Sequence, residues 1–183
     1  ADPAISSVAD LKGKRVGVTR FGASTDFAIR TLLEKHGLKP ITDVPIVRIG
    51  GMPEIAAALS NGAIAAAPMS YPMAHVAQQN GVKLLANTAK EGIAFVHVGI
   101  TISRGFIKGR RSQAKAFLRA YSRAVHYMHT NPEGFKKIIT RYSKITDAGM
   151  LQGTVQYAYD FFEKIPLIER DAFQNTIDEI AER

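Results

Sequence analysis

Three short strings carry residue types that can hold a small polar molecule without reacting with it: Phe21-Gly22-Ala23-Ser24-Thr25, Gly50-Gly51-Met52-Pro53 and Met69-Ser70-Tyr71-Pro72. Their glycines allow a backbone to approach a ligand closely, Ser24, Thr25 and Ser70 bring hydroxyls, and Phe21 and Tyr71 bring flat apolar walls. Such a set suits a small anionic or polar ligand. The same residue types are also what a strand-to-helix turn prefers for capping alone, and none of the strings matches a phosphate-loop or dinucleotide fingerprint.

Bond-making chemistry finds little support. His126 and His129 are three apart on a helical stretch and could bind a metal, but no acid or third histidine falls within a turn on that face, so a plain helix surface is the simpler reading. His97 lies in an extended run near Phe95 and reads as a packed, hydrogen-bonded core histidine. His36 closes a helix and favours its negative end, and His75 sits in the helix after Ser70. No serine, histidine and carboxylate set stands out, and no pair of carboxylates shares a turn. The absence of cysteine excludes a disulfide framework, a thiolate zinc site and a cysteine nucleophile. No catalytic residue, no metal and no cofactor are expected.

The three strings gain meaning from the elements around them. Ser7 to Gly13 reads as a short capped helical turn and Arg15 to Thr19 as a buried strand. After the first string, Asp26 to His36 is helical, with Ala28, Ile29, Leu32 and Leu33 on one face and a stop at Gly37 and Pro40. The pattern repeats with the strand Ile46 to Ile49, the second string, and a helix in which Pro53 and Glu54 suit the first turn, ending near Asn61-Gly62. A third round has a small-residue strand, Ala63 to Ala67, then the third string and a helix to Asn80-Gly81; Val82 to Ala86 reads as a fourth strand. Strands alternating with helices predict a parallel sheet covered on both faces, so all three strings fall at one sheet edge, where ligands of such folds bind. The first two strings and the third are then one candidate site: Gly22, Ala23, Ser24 and Thr25 first, then Ser70 and Tyr71, with Phe21, Gly51 and Met52 as walls.

From Gly92 the character changes. Ile93 to Ile102 is a long extended run, and helices follow at about 112–130, from Pro132, at 147–163 and at 169–182. The expected organisation is an α/β lobe over residues 1–103 and an all-helical segment over 104–183. With 183 residues, 46% of them hydrophobic and 22% charged, the chain is long enough to bury one well-packed domain with an appendage and is not disordered or fibrous. No apolar run approaches the roughly 20 residues of a membrane span. The start, with Asp2 and Pro3, has neither a basic nor an apolar leader region, so any export signal is expected to have been removed or never to have existed.

The net charge is +8, and Arg104, Lys108, Arg110, Arg111, Lys115, Arg119 and Arg123 follow one another with no acid between them. Arg111, Lys115, Arg119 and Arg123 are each four apart, which makes one positive helical stripe opposite Phe117, Leu118 and Tyr121. Such a stripe fits nucleic-acid backbone, an acidic partner or steering of anions. Aromatic residues are not interleaved on that face and no nucleic-acid motif precedes it, so a solvated helix face is the simpler reading and no nucleic-acid partner is expected.

Several strings resemble the nitrate, sulfonate, taurine and thiamine-precursor group of periplasmic substrate-binding proteins, the receptors of ATP-driven importers. Ser7-Val8-Ala9-Asp10-Leu11-Lys12-Gly13-Lys14-Arg15-Val16-Gly17-Val18 resembles the segment by which that family enters its second lobe, and Gly22-Ala23-Ser24-Thr25 takes the place of its small-residue ligand turn. Gly51 to Gly62, the proline-bearing loop Pro68 to Pro72, Gly81 to Leu85, and Ala114 to Tyr121 with Asn131-Pro132-Glu133 are also similar. Two departures stand out. Ala65 occupies a position where the family commonly has Asp, and the amino-terminal part of the family's first lobe has no counterpart here.

The resemblance implies a periplasmic-binding-protein-like lobe with a parallel-rich sheet flanked by helices, followed by helices that would pack on the missing lobe. It implies capture of a small anionic or aromatic-anionic solute, a membrane permease of an ABC importer as partner, and a periplasmic or cell-surface location. The missing wall could come from a homodimer or a domain-swapped copy. Without one, the segment 147–183 is expected to expose an apolar face and to associate or order incompletely. Two other readings share the architecture: a thiamine-precursor-synthase-like enzyme, which would need clustered cysteines or a sacrificial histidine, and the effector-sensing domain of a transcription regulator, which would need a helix-turn-helix.

Overall fold

The computed structural model describes residues 5–93 and 95–181. Asp2 and Pro3, Ala94 within the expected extended run and Glu182 at the expected end of the last helix lie outside the described residues. The chain divides into two compact units, one of residues 1–95 with 175–183, the other of 96–174.

In the first unit a single 3₁₀ turn, Val8–Leu11, buries Val8 and Leu11. The Asp10 carboxylate holds its start by accepting the N–H groups of Ser6 and Ser7 at 3.0 and 2.9 Å. These two N–H bonds, with Lys83 as a smaller contributor, keep the Asp10 carboxyl below the usual carboxylate range.

The chain then enters β1 (Val16–Val18), wholly buried, and α1 (Ser24–Lys35). β2 (Ile46–Arg48) pairs parallel to β1 in the register Val16↔Ile46, Gly17↔Val47, Val18↔Arg48. On its other side β1 meets Ala66 in a parallel bridge, with Gly17 N–H donating to Ala66 O at 2.9 Å. β1 is therefore central. α2 (Met52–Ser60) and α3 (Met73–Gln79) follow their turns as the alternation predicted.

Side chains alternate across the sheet, so the two faces collect different partners. Val16, Val18 and Ile46 join Ile29, Leu32 and Leu33 of α1 in one core, while Val47 and Ile49 pack with Ile55 and Ala58 of α2 and with Ile64 in another. This is the sheet covered on both faces that the sequence predicts. Its extent is smaller. The expected strand Ala63 to Ala67 contributes only the bridge at Ala66, and Val82 to Ala86 forms no strand, although Leu85 and Ala86 pack on the first core. A strand of alanines offers little side-chain surface for a further neighbour to grip, so the ladder stops there.

The second unit is helical: α4 (Arg104–Gly109), α5 (Arg111–Thr130), α6 (Pro132–Ser143), α7 (Ala148–Phe161) and the first turn of α8 (Arg170–Ala181). The caps are those the residues call for: Ser103 Oγ accepts from Phe106 N–H, Asn131 Oδ1 from Gly134 N–H, and Asp147 Oδ1 from Met150 N–H. Val125 and Met128 of α5 pack with Ala158 of α7 and Phe135 of α6. The expected extended run from Ile93 joins no ladder among the described residues, and His97, expected in a core, is exposed because no sheet buries its run. Past α7, Phe162, Ile165, Leu167 and Ile168 are exposed, an apolar surface of the kind expected for this segment.

Two stability predictions follow from the packing. A Cβ on Gly17 would stand 2.5 Å from Ile64 Cδ1 and 2.9 Å from Ile49 Cγ1. Gly17→Ala is therefore expected to destabilise the first unit by about 1–3 kcal/mol through overpacking, read as a lower urea midpoint with an unchanged slope. The Tyr159 hydroxyl is buried without a hydrogen-bond partner among the described residues, and the Tyr159 and His129 rings meet in a T-shaped arrangement with their centroids 5.5 Å apart. Tyr159→Phe removes that orphan and is expected to raise stability by about 1 kcal/mol, checked by the same denaturation experiment.

Candidate functional site

Parallel pairing sends the chain off the sheet in one direction after Val18, after Arg48 and after Ala66, so the three turns of interest leave from the same edge of the first unit. They are not equivalent in what they offer.

The first turn is the most fully organised. Gly22 adopts the left-handed φ of +74°, with open space where a Cβ would stand. Its N–H donates to Asp26 Oδ2 at 2.8 Å, and Arg30 Nε donates to Asp26 Oδ1 at 2.7 Å. Asp26 is only 1% exposed, so its charge is tolerated because Arg30 and the Gly22 N–H surround it. Thr25, also buried, accepts Thr19 N–H at 3.1 Å and shares a 2.8 Å bond with the Thr19 hydroxyl. Thr25 thus closes the turn onto the end of β1.

Ser24 differs. It is half-buried, it is the first residue of α1, and neither its N–H nor its hydroxyl has a partner among the described residues. The preceding cap residue, Ala23, has extended backbone and no side-chain acceptor to cover the first N–H groups. Phe21 is 54% exposed beside it. The turn therefore presents an uncapped helix start, a free hydroxyl and an aromatic ring.

The second turn is already supplied with a negative charge. Gly51 caps α2, and Glu54 Oε2 lies 2.7 Å from where a Gly51 Cβ would be, so the carboxylate folds over the helix start. Met52 is half-buried in the core with Ile55, Ala58 and Ile64. In the third turn Ser70 is half-buried and its carbonyl accepts Ala74 N–H at 3.1 Å. The Tyr71–Pro72 peptide is cis, and the Tyr71 ring meets the His75 ring at 5.5 Å. His75 Nε2 in turn lies 3.1 Å from Gln79 Nε2.

Sequence reasoning missed Thr19, Asp26, Arg20 and Arg48 as parts of this edge. The Gly22, Asp26 and Arg30 spacing of four was readable as a helical ion pair backing a glycine turn. Arg20 and Arg48 are exposed where β1 and β2 end, and they follow only from the register, which places Arg48 opposite Val18.

Elsewhere, no group of three or more His, Asp or Glu side chains that could hold a metal gathers among the described residues. Arg111, Lys115, Arg119 and Arg123 run exposed along α5. On the opposite face Phe117 and Leu118 are exposed as well, while Val125 and Met128 further along are buried.

Comparison with known proteins gives a family and a fold. The family model described as NMT1/THI5 like matches residues 1–135. The periplasmic aliphatic sulphonate binding protein SsuA from Escherichia coli superposes with a TM-score of 0.78 at 21% identity, over 97% of this chain and 56% of that one. A protein from Bordetella bronchiseptica RB50 superposes with a TM-score of 0.72 at 20% identity, over 98% of this chain and 59% of that one. The chain thus has the fold of a periplasmic binding protein and spans little more than half the length of these structures. No curated protein matches the sequence significantly. The matches lend no support to a homodimer.

The distinct uses of neighbouring hydroxyls are separable by mutation. Thr25→Val leaves Thr19 N–H without its acceptor and is expected to cost about 1–3 kcal/mol of stability, whereas Ser24→Ala is expected to change it by no more than a few tenths. Urea denaturation of both variants checks this.

Proposed function

The chain belongs to the NMT1/THI5-like family, and from that premise we propose that it is the ligand-holding lobe of a solute-binding protein serving an ATP-driven importer. Its solute is a small anion, with or without an aromatic group. The observation that carries this reading is the start of α1, where the Ser24 N–H and hydroxyl stand unpartnered at the sheet edge beside exposed Phe21. Helix-start N–H groups and a hydroxyl donate to an anion without proton transfer, so the solute is held and released unchanged. Ser70 and Tyr71 form the neighbouring wall, and Arg20 and Arg48 supply positive charge at the same edge. Gly51 and Met52 line the edge rather than donate, since Glu54 already occupies the second helix start.

In this reading the site is one wall of a cleft. A second lobe closes the other side, its closure is what a membrane permease recognises, and the protein works in the periplasm or at the cell surface. The sulphonate named for SsuA makes an alkanesulfonate the natural first probe.

The test is an amide-resolved NMR titration of the 183-residue chain with ethanesulfonate, against uncharged dimethyl sulfone as control. Ethanesulfonate alone is expected to shift the amides of residues 22–25 and 70–71, and Ser24→Ala to weaken binding about tenfold, the equivalent of one hydrogen bond to a charged group. Shifts confined to the α5 stripe, or equal shifts from both compounds, would remove the anion site from this edge.

A further inference from the structure

Within the first unit lies a pocket of about 140 Å³, partly open to solvent, whose walls are mostly hydrocarbon. Ala28, Ile29 and Leu32 of α1 line it together with Leu59 of α2, Ala77 of α3 and Leu85. Its origin is local. The segment expected as a fourth strand serves as a wall instead of a ladder neighbour, and the residues it faces, Ala66 and Ala77 among them, are too small to fill the space.

Size and chemistry select the occupant. A mostly apolar pocket of roughly this volume is of the size that holds a benzene ring. The polar side chains at this pocket are Gln78, Lys83 and Thr88. Lys83 is the single cation among the lining residues, and its charge already acts on Asp10, as the smallest contributor after the hydrogen bonds from Ser6 and Ser7. An anionic head would compete with that carboxylate, whereas an uncharged hydrocarbon would not.

We infer that this cavity is a second binding site, taking an uncharged aromatic ring of about benzene size or a short alkyl chain. It is separate from the anion site, since no residue of the Gly22–Thr25 turn lines it. The third turn connects the two: Pro68 and Met69, which lead into Ser70, belong to the cavity wall. An occupant there would brace the segment that carries Ser70 and Tyr71.

The experiment is a benzene titration of the 183-residue chain followed through its methyl groups by NMR. Saturable shifts are expected at Ile29, Leu32, Leu59 and Leu85, with a dissociation constant on the order of 1 mM, which is reasonable for a ligand of so few atoms. The thermal midpoint should rise with benzene concentration. Ala77→Leu and, from the opposite wall, Ala28→Leu fill the cavity and are each expected to weaken benzene binding at least about tenfold. Circular dichroism checks that each variant is folded; where either fails, the other decides, and where both fail the methyl map decides alone. Shifts that grow linearly without saturation, that appear at other methyls, or that survive both substitutions would overturn the inference. The anion titration reads the amides of 22–25, so failure of one site leaves the other measurable.

Discussion

β1 has no free edge, and the first unit depends on that constraint. Val16 to Val18 is bonded to β2 on one side and to Ala66 on the other, all three parallel. Parallel neighbours cannot be joined by tight turns, so each connection must leave at one edge and return through a helix laid on a face. The helix starts of α1 and α2 are thereby delivered to the same side of the sheet. Gly17 makes the arrangement possible, since the approach of Ile64 and Ile49 to its backbone leaves no room for a side chain. The packing of the interior and the location of the candidate site thus trace to one buried position.

The edge is built from three chemically different turns. In the first, two buried polar residues are used inward: Asp26 gathers Gly22 and Arg30, and Thr25 gathers Thr19. Rigidity here comes from satisfied bonds, which is what preorganises a donor before a ligand arrives. Ser24, left out of that network, is the group with bonding capacity to spare. The second turn has spent its positive helix end on Glu54. A cluster of glycines and hydroxyls in sequence therefore divides, on folding, into groups that hold the turn and groups that face outward.

This division explains what was legible in the sequence. The order of strands and helices, the helix stops and the caps at Ser103, Asn131 and Asp147 depend on neighbours within a few residues, and the chain states them directly. The extent of the sheet depends on partners far away. Val82 to Ala86 has strand composition but joins no ladder, and His97 is exposed in an extended run that joins no ladder among the described residues. The glycine and hydroxyl turn was legible by residue type, while the inward use of Thr25 requires knowing that Thr19, just past β1, comes within reach. The exposed cations Arg20 and Arg48 come to the same sheet edge through register alone.

Exposure sets what this edge can do by itself. Phe21 is more than half exposed and Ser24 is only half-buried, so an anion bound there keeps much of its water. Each hydrogen bond then returns about 0.5–1.5 kcal/mol net, because it replaces one made to solvent. Three such bonds do little more than offset a cost of association of at least roughly 4 kcal/mol, so binding at the open edge is weak. The same donors in a closed cleft act across a lower dielectric, where each bond to charge gains about 1.5–3 kcal/mol. Binding and closure are in that case a single event: the solute stabilises the closed state because only there are its bonds shielded from water. If a second lobe closes on this edge as proposed, a wall as open as this one makes that coupling strong, since most of the binding free energy is then released only on closure.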